Sequence, residues 1–306
     1  MAHAQDMILL APPYGRSYAH FSEAKPEERT CAVVFVHGLF GDAVSTWWQF
    51  QTLIDRDEVS QYFWDRCDLY FYSYDSFGHY VSELSQQLRG FLDVVFPTPS
   101  MNSFELGVLP EIREILAPGV PTKEPTLPAR YTSLFLVGHS LGGVVIRQAL
   151  LDCAATWKMQ ASQREWAKSY LTANVRLFSP AIRGFQPTGV KGFLYHYAAT
   201  HPLLSAAFES LKTLQELRKD SQRLLDLQND TERFASEYDW MTALTANLLF
   251  ASSDIVYTGR YGCDLVERIV PGHDHESICK PNPKYPEPLW FVSQGVNYER
   301  SSSARR

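Results

Sequence analysis

The segment "VGHSLGG" (137–143) places Ser140 between Gly138 and Gly142, in the pattern G-x-S-x-G. A serine hydroxyl becomes an effective nucleophile when a sharp strand-to-helix turn exposes it and a neighbouring base accepts its proton. The apolar run before the motif predicts a strand, and "LGGVVIRQALLDCAATW" (141–157) after it predicts a helix. This context favours a nucleophilic serine over a plain glycine-rich turn, because the N-terminus of the helix also favours negative charge.

A second motif, "VFVHGLFGD" (34–42), ends the first strongly apolar run of the chain. A His-Gly pair at a strand end, followed by a loop, is where enzymes with such a serine supply one backbone donor to an oxyanion. The other donor is the amide that follows the nucleophile. We therefore expect the N–H groups of Leu39 and Leu141 to form an oxyanion hole; the alternative is a turn that only ends the strand.

A serine nucleophile needs an imidazole base, and the base needs a carboxylate that fixes its tautomer. With this type of turn, the acid and then the histidine follow the serine along the chain. Asp254 is the favoured acid because it directly follows the predicted strand "ANLLFASS"; the alternatives are Asp239, Asp264 and Glu267. After Asp254, the segment "PGHDHESICKP" (271–281) offers two candidate bases, His273 and His275.

The elements that must position these residues alternate along the chain. Apolar runs predict strands, and amphipathic segments predict helices at 79–96, 141–157 and within 203–228. The predicted strands lie at 31–38, 68–76, 131–140, 174–182, 242–254 and 264–272. This alternation predicts an α/β fold with a doubly wound, mainly parallel sheet, which presents functional groups at the carboxyl ends of its strands.

Five segments carry a family resemblance: "HGLFGDAVSTW", "YSYDS", "VGHSLGGVVIRQAL", "LFSPAIRGF" and "DHESICKP". Together they resemble the α/β-hydrolase superfamily over about 31–281. More narrowly, they resemble a lipase-like group that contains serine-active-site proteins linked to phospholipid remodelling. The resemblance implies hydrolysis of a carboxylic ester, a lipid or another acyl ester, through Ser140, Asp254 and His275 and without a cofactor or metal.

The resemblance also separates the two histidines, because "HESICKP" is similar to the family segment in which the catalytic histidine precedes a short helix. It implies that His275 is the base and that residues 185–240 form a helical cap over the site. The chain departs from the family at "SPAIRG" (179–184), where relatives often read "GTPHRG". The histidine of those relatives is replaced here by Ala181 or Ile182.

Other interpretations stay open at this point. A thioesterase, an amidase or an acyltransferase uses the same residues, and a catalytically silent hydrolase fold would serve as a binding module. A zinc site is disfavoured, although four side chains could supply ligands: His273, His275, Cys263 and Cys279. These residues lack the CxxC and HExxH spacings typical of zinc ligands. Arg183 and Lys280 are candidates for binding an anionic head group, and a lipid substrate would add peripheral membrane contact.

Composition bounds the remaining questions. The formal charge of −6, with acids and bases interspersed, argues against a nucleic-acid-binding surface. The five cysteines have unrelated spacings and predict reduced thiols, and together with the lack of a leader or an apolar span this predicts a cytoplasmic protein. We expect an N-terminal extension (1–30), a hydrolase domain (31–295) and a disordered tail (296–306), and the sequence leaves the oligomeric state open.

Overall fold

The computed structural model describes residues 3–10, 17–47, 49–76, 78–100, 104–105, 126–186 and 212–295. Within these ranges, nine strands form one sheet in the order β5-β1-β2-β4-β3-β6-β7-β8-β9. The strands are β1 His3–Leu10, β2 Tyr18–Ser22, β3 Cys31–Val36, β4 Cys67–Tyr72, β5 Phe104–Glu105, β6 Ser133–His139, β7 Asn174–Phe178, β8 Ala246–Ser253 and β9 Val266–Asp274. Along the sheet, the six strands β4-β3-β6-β7-β8-β9 pair in parallel with their neighbours. The predicted doubly wound α/β sheet is therefore confirmed.

Helices cover both faces of this sheet because its central strands are apolar on both sides. Every residue of β3 is buried, with Val34 on one face and Phe35 on the other, each in a separate apolar cluster. The helices are α1 Phe50–Leu53, α2 Gln61–Trp64, α3 Val81–Val95, α4 Leu141–Met159, α5 Arg164–Leu171, α6 Lys212–Glu216, α7 Gln222–Glu237 and α8 Glu287–Gln294. In the described part of the chain, none of them has the length and apolar character of a membrane span.

The N-terminal residues take part in the sheet. Residues 1–30 are predicted to be an extension, yet they contain β1 and β2, and β2 pairs antiparallel with β4. Local sequence patterns do not predict their place in the sheet. The tail (296–306) and residues 187–211 of the expected cap lie outside the described residues, so the proposed domain boundaries stay a prediction.

The leucine-rich segment expected to form one amphipathic helix is divided in two. Asp220 lies between α6 and α7 with a φ of 57°, a value that interrupts a helix. Ser221 then caps α7, because its side chain accepts a hydrogen bond from the amide of Leu224. The break makes α6 a short separate element, which contacts the loop after β4.

A buried ion pair joins α4 to the segment that leads into β9. Arg147 Nη2 lies 2.5 Å from Asp264 Oδ1, and both side chains are almost fully buried. The Asp264 carboxylate also accepts hydrogen bonds from the amides of Ala246 and Tyr261, at 3.0 and 2.8 Å. Asp264 therefore has a structural role, and it holds the helix of the nucleophile motif against the start of the last strands.

We expect Asp264→Ala to lower the free energy of unfolding by about 3–5 kcal/mol, because Arg147 would keep a buried charge without its carboxylate. Urea unfolding followed by circular dichroism measures the loss. Asp239→Ala is the matched control, since this exposed aspartate follows α7, and its change should stay within about 0.5 kcal/mol. Equal, small effects of both substitutions would contradict this account of the pair.

Candidate active site

The turn between β6 and α4 holds Ser140 in an unusual backbone conformation. Its φ is 54° and its ψ is −120°, in a region that a residue with a side chain rarely adopts. The Ser140 amide donates a hydrogen bond to the carbonyl of Phe178 at 3.0 Å, and the Ser140 carbonyl accepts from Gly143 and Ala181 at 3.1 Å. These bonds fix the turn at the carboxyl edge of the sheet, where the serine side chain lines a cavity.

Two glycines allow the backbones around this turn to approach each other. A Cβ atom on Gly142 would lie 2.2 Å from the carbonyl oxygen of Val36, and a Cβ on Gly38 would lie 2.8 Å from the Cβ of Ser140. Both distances are too short for any side chain. The absence of side chains at these positions therefore lets α4 start directly against the end of β3, with the loop after β3 beside Ser140.

The structure brings together three of the side chains that the sequence analysis singles out. His275 Nε2 lies 2.9 Å from Ser140 Oγ, and His275 Nδ1 lies 2.7 Å from Asp254 Oδ1. An ionised carboxylate only accepts hydrogen bonds, so the imidazole carries its proton on Nδ1 and Nε2 is left to accept from the serine hydroxyl. The distances are those required for proton transfer from Ser140 to His275.

Asp254 is held in its ionised form by its hydrogen bonds. Burial acts to raise its pKa, but hydrogen bonds from His275, Ser179 and the amide of Val256 outweigh burial and place the pKa below its usual value. The Ser179 hydroxyl donates to Asp254 Oδ2, while the Val256 amide lies 3.1 Å from Oδ1. Sequence reasoning missed the contact made by Ser179, although its position just after β7, at a strand's carboxyl end, was a usable signal.

The loop expected to supply an oxyanion donor lies beside the serine. Leu39 lines the cavity, and within the described ranges neither its N–H nor that of Leu141 has a hydrogen-bond partner. Phe40, with a φ of 60°, donates its amide to Ser76 Oγ at 3.1 Å. On α6, Thr213 Oγ1 in turn donates to the carbonyl of Ser76. Ser76, which sequence reasoning missed, thus holds this loop in place.

The cavity at Ser140 has a volume of about 160 Å³ and a mixed lining. Its apolar residues are Leu39, Phe40, Phe185 and Ile255, and its polar ones include Ser45, Thr46, Glu276 and Lys280. Lys280 Nζ lies 3.9 Å from Glu276 Oε2. The other candidate for an anionic group, Arg183, does not line the cavity: its guanidinium donates to Gln228 and to the carbonyl of Arg260.

The competing residues lie elsewhere. The ring of His273 stacks on Tyr285, with 3.6 Å between ring centroids, and it does not line the cavity. Asp274 caps the turn that follows it, because its carboxylate accepts from the amide of Ser277 at 2.8 Å. Asp239 is exposed, and Glu267 lies on β9 in register with Leu248 of β8. None of these side chains is hydrogen-bonded to Ser140 or His275 in the described structure.

The two cysteines considered as zinc ligands are occupied by other contacts. The Sγ atoms of Cys279 and Cys263 contact the carbonyls of Thr46 and Leu244, and burial raises the pKa of the two thiols to about 12 and about 11. Over the described ranges, no group of three histidine, cysteine or acidic side chains could hold a metal ion. Both thiols are therefore protonated near neutral pH, and each lies against a main-chain carbonyl.

Two further histidines near the site are buried and neutral. Burial is the main reason why the pKa of His37 falls to about 4 and that of His139 to about 3. His37 stacks on the ring of Tyr74 and accepts a hydrogen bond from its amide at 3.2 Å. His139 Nε2 lies 2.7 Å from the carbonyl oxygen of His275. Both rings are therefore uncharged in the folded protein at neutral pH.

We expect these rings to make the fold sensitive to acid. The unfolded chain binds protons near pH 6.5, while folded His139 binds one only near pH 3, so stability falls as the pH drops below about 6.5. Between pH 7 and pH 4.5, the free energy of unfolding of the wild type should fall by about 2–3 kcal/mol more than that of His139→Gln, which does not titrate. Urea unfolding at both pH values measures the difference, and identical losses would contradict it.

Comparisons with solved structures return distant similarities. Among solved structures, 97% of the chain aligns with 99% of a carboxylesterase from Nitrososphaera gargenis, at 13% identity and a TM-score of 0.44. For the carboxylesterase CesB (YbfK) of Bacillus subtilis, 96% of this chain aligns with 93% of that one, at 12% identity and a TM-score of 0.47. At such values neither structure supports an argument about the fold or the activity of this chain.

No curated protein sequence matches the chain. The sequence profile of the alpha/beta hydrolase family, in contrast, matches residues 33–286, which include most of β3, all of β4 to β9, the nucleophile turn and His275. Because this match covers most of the chain, the protein belongs to the alpha/beta hydrolase family.

Proposed function

We propose that the protein is a serine hydrolase that cleaves a carboxylic ester, with a lipid or another acyl ester as its substrate. The observation that carries this proposal is the continuous series of hydrogen bonds from Asp254 through His275 to Ser140, which ends at a cavity. A serine, an imidazole and a carboxylate in this order form the arrangement that activates a hydroxyl for acyl transfer. Membership of the alpha/beta hydrolase family supports the same conclusion.

In the proposed mechanism, Ser140 Oγ attacks the ester carbonyl carbon while His275 Nε2 takes the hydroxyl proton. His275 then donates that proton to the departing alcohol, and an acyl-enzyme forms on Ser140. A water molecule then gives a proton to His275 and attacks the acyl carbon; as the bond to Ser140 Oγ breaks, His275 returns that proton to Oγ and the acid is released. Throughout, the ionised Asp254 stabilises the imidazolium and keeps the ring oriented.

The negative charge that develops on the carbonyl oxygen needs donors that are already in place. We assign this role to the N–H groups of Leu39 and Leu141, which have no hydrogen-bond partner in the described structure and flank Ser140. Leu141 is also the first residue of α4, whose N-terminus carries partial positive charge. The two amides are thus arranged to stabilise a tetrahedral intermediate.

The lining of the cavity supports an acyl ester as the substrate class. Its apolar part, which includes Phe40, Phe185 and Ile255, suits a hydrocarbon chain, and its polar part, which includes Thr46 and Lys280, suits a polar alcohol. Residues 185–240 would cap this cavity, and a lipid substrate would bring the protein to a membrane surface. A panel of esters, thioesters and amides that share one acyl group separates the activities available to this machinery.

We expect a fluorophosphonate probe to label the wild type and to leave Ser140→Ala unlabelled, because only an activated serine attacks the phosphorus. Turnover of a p-nitrophenyl ester by Ser140→Ala should fall by about 10⁴-fold or more. Ser236→Ala is the matched control, since this exposed serine lies on α7 and, among the described residues, its hydroxyl bonds only to the carbonyl of Arg233. A folded wild type that is neither labelled nor active would instead indicate a silent binding module.

The two histidines of the segment 271–281 should behave differently. His275→Ala removes the base in contact with Ser140, so we expect kcat/KM for ester hydrolysis to fall by about 10⁴- to 10⁶-fold. His273→Ala removes a ring that stacks on Tyr285 and should retain the wild-type activity. Steady-state kinetics on one ester measures both variants. Loss of activity in His273→Ala together with normal activity in His275→Ala would assign the base to His273.

A further inference from the structure

His139 occupies the variable position of the nucleophile motif, directly before Ser140. The residue is 7% exposed and lines the cavity. Its Nε2 atom lies 2.7 Å from the main-chain carbonyl oxygen of His275, and the centroids of the two rings are 4.8 Å apart. The proposed mechanism assigns no role to this buried imidazole, although it directly precedes the nucleophile and contacts the residue proposed as the base.

The protonation state of His139 limits what the ring can do. A carbonyl oxygen only accepts hydrogen bonds, so Nε2 of His139 carries the ring proton and donates a hydrogen bond to the main-chain carbonyl of His275. Burial, aided by the nearby His275 and Lys280, lowers the pKa of His139 to about 3, while Asp254 and the hydrogen bond to His275 act in the opposite direction. A neutral imidazole has one N–H group, and that of His139 is hydrogen-bonded to the His275 carbonyl, so His139 is not a second acid for the substrate.

The position of His275 in the sheet shows why its main chain needs a support. His275 follows the edge strand β9, while Ser140 follows β6, and β7 and β8 lie between these strands. Because neighbouring strands lie about 4.8 Å apart, the ends of β6 and β9 are separated by roughly 14 Å. The base must therefore reach over two strands to meet the nucleophile.

Within the described residues, Asp254 and Ser140 hold the ring of His275 at its two nitrogens. Its carbonyl group accepts the hydrogen bond from His139, which precedes Ser140 in the chain. This contact thus connects the main chain of His275 to the residue that directly precedes Ser140. Gly38 leaves room for the His139 ring, since a Cβ on Gly38 would lie 3.2 Å from Nδ1 of His139.

We propose that His139 is a positioning residue: its Nε2–H holds the main chain of His275 in the position from which the His275 ring reaches Ser140. The inference rests on the proposed function, because it concerns the geometry of that nucleophile and base. His139 acts through His275 and touches no reacting atom. Its loss should therefore slow the chemical step and leave substrate binding unchanged, and a displacement of about 1 Å in such a site costs about 10²-fold in rate.

Two neutral amides test the role of this donor, because they differ only in reach. In His139→Gln the amide nitrogen is as many bonds from the backbone as Nε2, whereas in His139→Asn it is one bond shorter and stops before the His275 carbonyl. We expect the Gln variant to keep most of the wild-type kcat. The Asn variant should lose about 10²-fold in kcat, with an unchanged KM and an equal loss in the rate of fluorophosphonate labelling.

Thermal unfolding of both variants confirms that native protein is compared, and His139→Leu replaces the Asn variant if the latter does not fold. Equal kcat values in the wild type and both variants would overturn the inference. An equal loss in both would also overturn it, since a donor at the correct distance would then be insufficient. A wild type that neither hydrolyses esters nor reacts with the probe would refute the proposed function instead, so the two failures are distinguishable.

Discussion

The close contact between the start of α4 and the end of β3 is the constraint on which the site depends. Gly142 lies against the carbonyl of Val36, so the helix begins directly behind the strand and forces Ser140 into its left-handed conformation. Such a backbone is unfavourable for serine and persists only where its surroundings fix it. The Ser140 amide donates to the carbonyl of Phe178, and the Ser140 carbonyl accepts from Gly143 and Ala181, and these hydrogen bonds fix the turn. Phe178 is held in turn by β7, which pairs in parallel with β6.

Much of this arrangement could be predicted from local sequence signals. The apolar, β-branched run before Ser140 and the periodic helix after it identify the nucleophile turn without reference to the rest of the chain. Chain order then placed Asp254 and His275 downstream, and the structure brings both into one series of hydrogen bonds with Ser140. The preference for His275 over His273 rested on a family resemblance, and the catalytic roles of all three residues are proposals.

The contacts that the sequence did not reveal are those between residues far apart in the chain. Ser179 meets Asp254, Ser76 meets Phe40, and His139 meets the carbonyl of His275, each through a single polar group that creates no periodic pattern. The strand β2 escaped prediction for a related reason: five residues, "YAHFS", are too few to show a period, and their pairing with β4 is decided by the sheet. Tertiary placement, rather than local propensity, determines these features.

The space around Gly142 also provides a diagnostic for comparing distant members of the family. Any larger residue at this position would push the helix away from the strand, because even a methyl group meets two carbonyl oxygens, those of Val36 and His37. A homologue with a side chain there must have rebuilt the strand-to-helix turn, and an aligned serine in it would no longer occupy the same strained position. Residue 142 therefore indicates, independently of the reactive side chains, whether a relative can have kept an exposed nucleophile.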